Sequence, residues 1–180
     1  MLSKDKKGIA IGITLWLILI VFIFYIPLIP LTSDKQLDPP FLNENGTNSA
    51  VVFFGFRGCS NVCPMTLSIL QRLLNSQQNE AYWPQIIFVD IDIDSSSALA
   101  SDFAKKFHPS FVGYHTSPEE LLQLSAKLGL NIQQQSSQIM HLGKTYLLHR
   151  KSNGWRLIKT YNPESFSAET LQKELSIFNS

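Results

Sequence analysis

The chain lacks any dominant charge: 15 Lys and Arg stand against 14 Asp and Glu, a formal net charge of +1. No long-range field is available to gather nucleic acid or a strongly charged substrate, so recognition must rest on local chemistry. Cysteine is scarce too. The two present, Cys59 and Cys63, are separated by only three residues. That is too few and too close for the disulfide framework of a small secreted scaffold, so the pair reads as a site. No internal repeat is found, and 180 residues leave room for one ordinary domain once a targeting segment is set aside.

Charge is missing altogether between Gly8 and Leu31. As a helix this run would extend roughly 36 Å, enough to cross a bilayer. Lys4, Lys6 and Lys7 precede it and Thr32-Ser33-Asp34-Lys35 follows, so the positive-inside bias places residues 1–7 in the cytoplasm and the remainder outside. The run ends in Ile26-Pro27-Leu28-Ile29-Pro30, with no small-residue cleavage site, which predicts a retained transmembrane anchor over 8–31. No Arg-rich, Ser-rich transit segment precedes it. The expected location is therefore a bacterial inner membrane, single-pass, with a periplasmic domain.

Residues 32–49 are rich in Ser, Asp, Pro, Asn and Gly and read as a linker, leaving 50–180 as the folded domain. Its first strand is the apolar, β-branched and aromatic run from Ala50 to Phe56, of the kind buried on both faces. Leu67, Leu70, Leu73 and Leu74 then recur at helical spacing between Pro64 and Gln78, with Pro64 suited to the opening turn. A second buried strand is predicted over 85–91 and an amphipathic helix over 97–107, ending before Pro109. Ser117-Pro118-Glu119-Glu120 forms a capping box for a third helix that stops at Gly129. The polar stretch 131–138 reads as a loop. Strands over 144–149 and 155–161 flank a turn containing Gly154, and a last helix over 168–178 is capped by Ser167. The order β-α-β-α-α-β-β-α predicts a mixed sheet covered on both faces by helices, the layout of an α/β sandwich.

Cys59-Ser60-Asn61-Val62-Cys63-Pro64 falls between the first strand and the first helix, at the end of the sheet where open α/β folds place their sites. A helix opening at Pro64 would put Cys63 at its positive end, favouring thiolate, and Arg57 would add to this. Three intervening residues let the sulfurs meet as a disulfide or as two ligands of a soft metal ion. Of the four histidines, His108, His115 and His149 read as caps or surface residues. His141 differs, because it ends the polar loop just before a strand. Thioredoxin-like chains normally supply a cis-proline there, yet no proline occurs between Pro118 and Pro163. Two thiolates and an imidazole suit Cu(I), or Cu(II) with a further weak ligand, whereas structural zinc usually takes a fourth protein ligand. Met65 and Met140 are available as extra sulfur donors but read as core filler.

The segment Phe53-Phe54-Gly55-Phe56-Arg57-Gly58-Cys59-Ser60-Asn61-Val62-Cys63-Pro64-Met65-Thr66-Leu67 resembles the signature of the SCO/SenC family. Phe107-His108-Pro109-Ser110-Phe111-Val112-Gly113 is similar to the family's segment ahead of its third helix. His141 followed by Tyr146-Leu147 is similar to its histidine-then-strand motif. The resemblance implies a thioredoxin-like domain that binds copper through Cys59, Cys63 and His141. It also implies a membrane-anchored chaperone that assists assembly of the copper site of cytochrome c oxidase, with oxidase subunit II as the expected acceptor. The family's thiol-disulfide roles imply an alternative in which Cys59 and Cys63 act as a redox-active pair, a reductase or redox sensor. The chain departs from the family where an Asp-Pro-x-Arg-Asp-Thr stretch is usual and Asp90-Ile91-Asp92-Ile93-Asp94-Ser95 stands instead. It also lacks the hairpin of some two dozen residues that usually opens the domain.

Overall fold

A computed structural model describes residues 12–21, 36–43, 46–76, 83–130, 132–135, 138–141 and 143–178. The chain divides into two compact units, Met1–Ser33 and Asp34–Ser180. In the first, residues 12–21 form a helix (α1) whose side chains Ile13, Leu15, Trp16, Leu17, Ile18, Leu19 and Val21 are all exposed. No helix among the described residues is long and apolar enough to cross a membrane. The rest of the predicted span at 8–31, and the lysines before it, lie outside the described residues.

The second unit is built on a six-stranded mixed sheet. Its elements are β1 (Gln36–Leu37), β2 (Ser49–Gly55), α2 (Val62–Ser76), β3 (Gln85–Asp90), α3 (Ser97–Lys105), β4 (Val112–His115), α4 (Pro118–Leu128), β5 (Ile132–Gln135), β6 (Gln138–His141), β7 (Thr145–Lys151), β8 (Gly154–Tyr161) and α5 (Ala168–Phe178). The strand order is β1-β8-β7-β2-β3-β4, with β5 and β6 forming a separate two-stranded sheet. β2, β3 and β4 run parallel, as helical crossovers require, while β7, β8 and β1 add antiparallel neighbours. The thioredoxin-like reading of the sequence fits this architecture.

All seven residues of β2 are buried, because both faces of the sheet are covered. Side chains alternate across the pleat. Val51 and Phe53, with Ile86, Phe88 and Leu147, pack toward Leu67, Leu70, Leu73 and Leu74 of α2 and Leu171 and Leu175 of α5. Ala50, Val52 and Phe54, with Ile87, Val89 and Leu148, pack toward Leu124 and Leu128 of α4 and the aromatics Phe41 and Trp155. Each fully buried aliphatic or aromatic side chain contributes about 1.5–3 kcal/mol. This double layer fixes the strand ends on which the site is built.

The predicted helix stops are largely present. Glu120 N–H donates to Ser117 Oγ at 3.2 Å and Ser117 N–H to the Glu120 carboxylate at 3.2 Å, closing the capping box, and Gly129 ends α4 at φ 65°. Ser167 Oγ accepts from Thr170 N–H at 3.2 Å at the start of α5. Other places differ from the sequence reading. Helix α2 begins at Val62, two residues before Pro64, which still sits in the first turn where a missing N–H is harmless. The stretch read as a loop at 131–138 contains β5 and leads into β6. These strands pair antiparallel from Ile132↔His141 to Gln135↔Gln138. No apolar alternation marks these strands in the sequence, and their backbone pairing identifies them. Within the segment read as a linker, Leu37, Phe41 and Leu42 are buried and β1 pairs with β8.

Burial pushes the phenols of Tyr146 and Tyr161 up to about 12, with the charge of Glu174 adding to the effect at Tyr161. Neither hydroxyl has a hydrogen-bond partner among the described residues. An unfolded tyrosine ionises near pH 10. The folded state holds these protons more tightly, so its advantage is complete below about pH 10 and is lost as pH rises toward about 12. Tyr146→Phe is expected to flatten alkaline unfolding over that window, followed by circular dichroism. At neutral pH it is expected to leave stability equal to wild type or higher by about 1–2 kcal/mol, since an unsatisfied buried hydroxyl is removed.

Candidate metal centre

The carboxyl ends of β2, β3 and β4 and the start of β7 form one edge of the sheet, and the two cysteines lie there. After Gly55 the chain turns over residues 56–59, with Cys59 N–H donating to the Phe56 carbonyl at 3.1 Å, and then enters α2. Met65 N–H donates to the Asn61 carbonyl at 3.2 Å and closes the first helical turn. Inside that turn Cys63 N–H donates to Cys59 Sγ at 3.4 Å, so sulfur occupies the place usually taken by a capping oxygen. The two cysteines are not joined by a disulfide; Cys59 is half-buried and Cys63 buried.

Room for the inner sulfur comes from Gly55. A methyl group at that Cα would lie 2.8 Å from Cys63 Sγ and 3.0 Å from the rings of Phe53 and Phe88. Burial is the main cause that pushes the Cys63 thiol up; hydrogen bonding to Cys59 and the charges of Cys59 and Asp90 act in the same direction, and a backbone bond to Phe56 opposes them. The thiolate preference expected of Cys63 from the helix start is therefore outweighed by its desolvation.

His141 ends β6 opposite Ile132, and its side chain, like that of Met140, lies outside the described residues. Two residues later Gly143, at φ 59°, rests on α2. A methyl group there would lie 2.5 Å from Val62 Cγ1 and 3.2 Å from Pro163 Cγ. Gly143 is thus seated against the residue immediately before Cys63. Among the described residues no three His, Cys, Asp or Glu side chains form a ready metal cluster.

The remaining histidines are held elsewhere. His108 bonds Ser110 Oγ at 2.7 Å and packs on Trp83 and Phe111. His149 lies 3.4 Å from Ser49 Oγ, at the opposite end of β2 from Gly55; burial, then Lys151, lowers its pKa. His115 does reach the site edge, in register with Asp90, where its Nε2 lies 2.9 Å from the Asp92 carbonyl. Met65 is exposed on the first turn of α2.

The sequence reading missed one feature of this edge. Asp90, fully buried at the end of β3 and paired in register with Gly55, accepts from Ser95 Oγ at 2.6 Å and from Asp92 N–H at 3.2 Å. Arg57 Nε lies 3.5 Å from its Oδ2 and donates to Ser95 Oγ at 3.2 Å. The available signal was an aspartate closing an otherwise apolar strand, since such a carboxylate must find donors.

A thioredoxin-like sheet carrying a reduced Cys-x-x-x-Cys pair at a strand-to-helix turn defines a class of thiol-bearing domain. Within it, the chain belongs to the SCO1/SenC family, whose model matches residues 43–176. The zebrafish (Danio rerio) mitochondrial SCO2 homolog is 34% identical over 77 residues, 41% of this chain and 27% of that protein. The chain spans about half or less of the length of the curated relatives it matches. Among solved structures, apo Sco1 from Thermus thermophilus shares 25% identity at a TM-score of 0.64, covering 83% of this chain and 99% of that one. The copper-bound ScoI of Arabidopsis thaliana has the same fold, at 20% identity and a TM-score of 0.61 over 72% of this chain and 83% of that one.

Because Gly55 leaves so little space, Gly55→Ala is expected to displace the Cys63 sulfur and to destabilise the fold by about 1–3 kcal/mol, the usual range for overpacking. Urea unfolding of the reduced chain measures it, with Gly12→Ala as the control, since nothing lies within 4 Å of a methyl group there.

Proposed function

We propose that this chain is a membrane-anchored copper chaperone that carries a copper ion as cargo to the copper site of cytochrome c oxidase, with Cys59, Cys63 and His141 as its ligands. The observation that carries this reading is the seating of Gly143 against Val62. His141 lies two residues away, and at about 3.8 Å per residue its Cα is within roughly 8 Å of the Cα of Gly143. That short tether supports a histidine segment lying near the turn that holds both sulfurs. Two thiolates and an imidazole form a soft donor set suited to Cu(I), and to Cu(II) with a further weak ligand. Membership of the SCO1/SenC family and the fold shared with a copper-bound ScoI support the assignment. The expected acceptor is oxidase subunit II, reached by ligand exchange from the half-buried Cys59.

The anchor would be residues 8–31, with residues 1–7 cytoplasmic, and the SCO domain at 50–180 would be joined by β1 and the buried residues of the segment first read as a linker at 32–49. The exposed apolar side chains of α1 support burial of that helix in lipid. This topology places the thiol pair in the periplasm of a bacterium.

The arrangement of the sulfurs, the more accessible Cys59 above the buried Cys63, also favours a second reading as a thiol-disulfide reductase. The Cys59 thiolate would attack a client disulfide, and the departing client sulfur would take up a proton. Cys63, once deprotonated, would then attack Cys59 Sγ, releasing the second client thiol and closing a Cys59–Cys63 disulfide. Two electrons pass to the client.

Anaerobic Cu(I) titration of the full, reduced chain is expected to show about one ion bound per chain, as a single site of this donor set implies. Cys59→Ser, Cys63→Ser and His141→Ala are each expected to lose the ion to a chromophoric chelator that wild type withstands. Uptake unchanged by His141→Ala and by Cys59→Ser would sink the chaperone reading. Client-disulfide turnover that survives His141→Ala, without copper uptake, would establish the second.

A further inference from the structure

The Asp90 carboxylate is the charged group buried deepest beside the thiol pair, one strand across from the glycine over which Cys63 packs. Its side chain is 0% exposed, whereas that of Arg57 is 32% exposed and reaches inward from the turn that carries Cys59. An ion pair between two exposed side chains contributes little, but a buried carboxylate deprived of its partner is strongly unfavourable. Arg57 is also two residues from Cys59 in the chain, and it grips two points at once. Its Nε donates to Ser95 Oγ at 3.2 Å and lies 3.5 Å from Asp90 Oδ2, while Ser95 Oγ itself donates to Asp90 at 2.6 Å. The turn holding the outer sulfur is thereby clipped to the loop that follows β3.

We propose that Arg57 is a positioning residue for the Cys59–Cys63 pair, fastening the Cys59 turn to the Asp90–Ser95 loop and offsetting a buried negative charge that opposes the gathering of two thiolates around a cation. This proposal rests on the copper reading of the same site. Arg57 acts through the turn that carries Cys59 and through the field of Asp90. The neighbouring groups are accounted for. Asp92 N–H and Ser95 Oγ also satisfy Asp90, and His115 is engaged by the Asp92 carbonyl. Arg57 is the one cationic side chain paired with Asp90 among the described residues.

The test uses the full reduced chain as wild type, Arg57→Ala, Arg57→Lys, Asp90→Asn and the Arg57→Ala/Asp90→Asn double variant. Cu(I) affinity is measured anaerobically against a chromophoric chelator. Arg57→Ala is expected to bind about tenfold more weakly, the scale seen when a group behind a metal ligand is removed. Arg57→Lys, which keeps the charge without the fork, should fall between it and wild type. Adding Asp90→Asn to Arg57→Ala should recover the part of the loss that comes from the uncompensated buried charge and leave the part that comes from the broken clip. Wild-type affinity in Arg57→Ala, or a double variant no better than the single, overturns the proposal. Should Arg57→Ala fail to fold, Arg57→Lys and the double variant carry the same comparison. Hydrogen exchange at the Cys59 and Cys63 amides without copper forms a separate arm, in which Arg57→Lys is expected to exchange faster by a few-fold. If wild type takes up no Cu(I), the copper reading fails by itself and this arm decides on Arg57; unchanged protection overturns its role.

Discussion

β2 sets the terms for everything around it. A strand buried on both faces needs helices on both sides and hydrogen-bonded neighbours on both edges, and here it has β3 in parallel register and β7 antiparallel. The parallel partner demands a crossover, so α2 must begin near the carboxyl end of β2 and lie back across the sheet. The turn between them is consequently short and placed at the open edge. Both cysteines fall within that turn or on the first turn of the helix it feeds, so their separation follows from the sheet as much as from the motif.

The same edge concentrates opposing electrostatic demands. Cys63 is packed on Gly55 amid the rings of Phe53 and Phe88, which gives the sulfur a fixed position at the cost of a harder deprotonation. Asp90 adds negative charge nearby, and Arg57 balances it from the same turn that bears Cys59. In the family pattern the arginine of this region follows the aspartate by three residues; in this chain Ile93 stands there, exposed, and the guanidinium arrives from the cysteine turn instead. Thiol geometry and charge balance are thus carried by one short segment.

What could be read from the sequence follows the strength of local signals. The run at Ala50–Phe56, the leucine stripe of α2, the capping box at Ser117 and the turn between β7 and β8 each state their structure within a few residues, and each was legible. β4 was not, because Val112–His115 is four residues long with Gly113 at its centre, and its identity comes from pairing with β3. β5 and β6 lack an alternating pattern for the same reason. β1 is two residues long and hides in a polar, proline-rich stretch. At the site, the cysteines were marked by type and spacing. The bridge from Arg57 to Asp90 was not, since 33 positions separate residues that only the β2–β3 register brings together.

The bond from the Cys63 amide to Cys59 sulfur has a mechanical side. Oxygen caps hold a helix end by a compact, strongly polarised acceptor; sulfur is larger and more diffuse, and its grip is correspondingly soft. Whatever next binds that sulfur, whether an ion or a second sulfur, draws on the electron density that the amide leans on. The opening coil of α2 then registers the chemical state of the outer thiol, so the helix serves as both the scaffold of the pair and its first gauge.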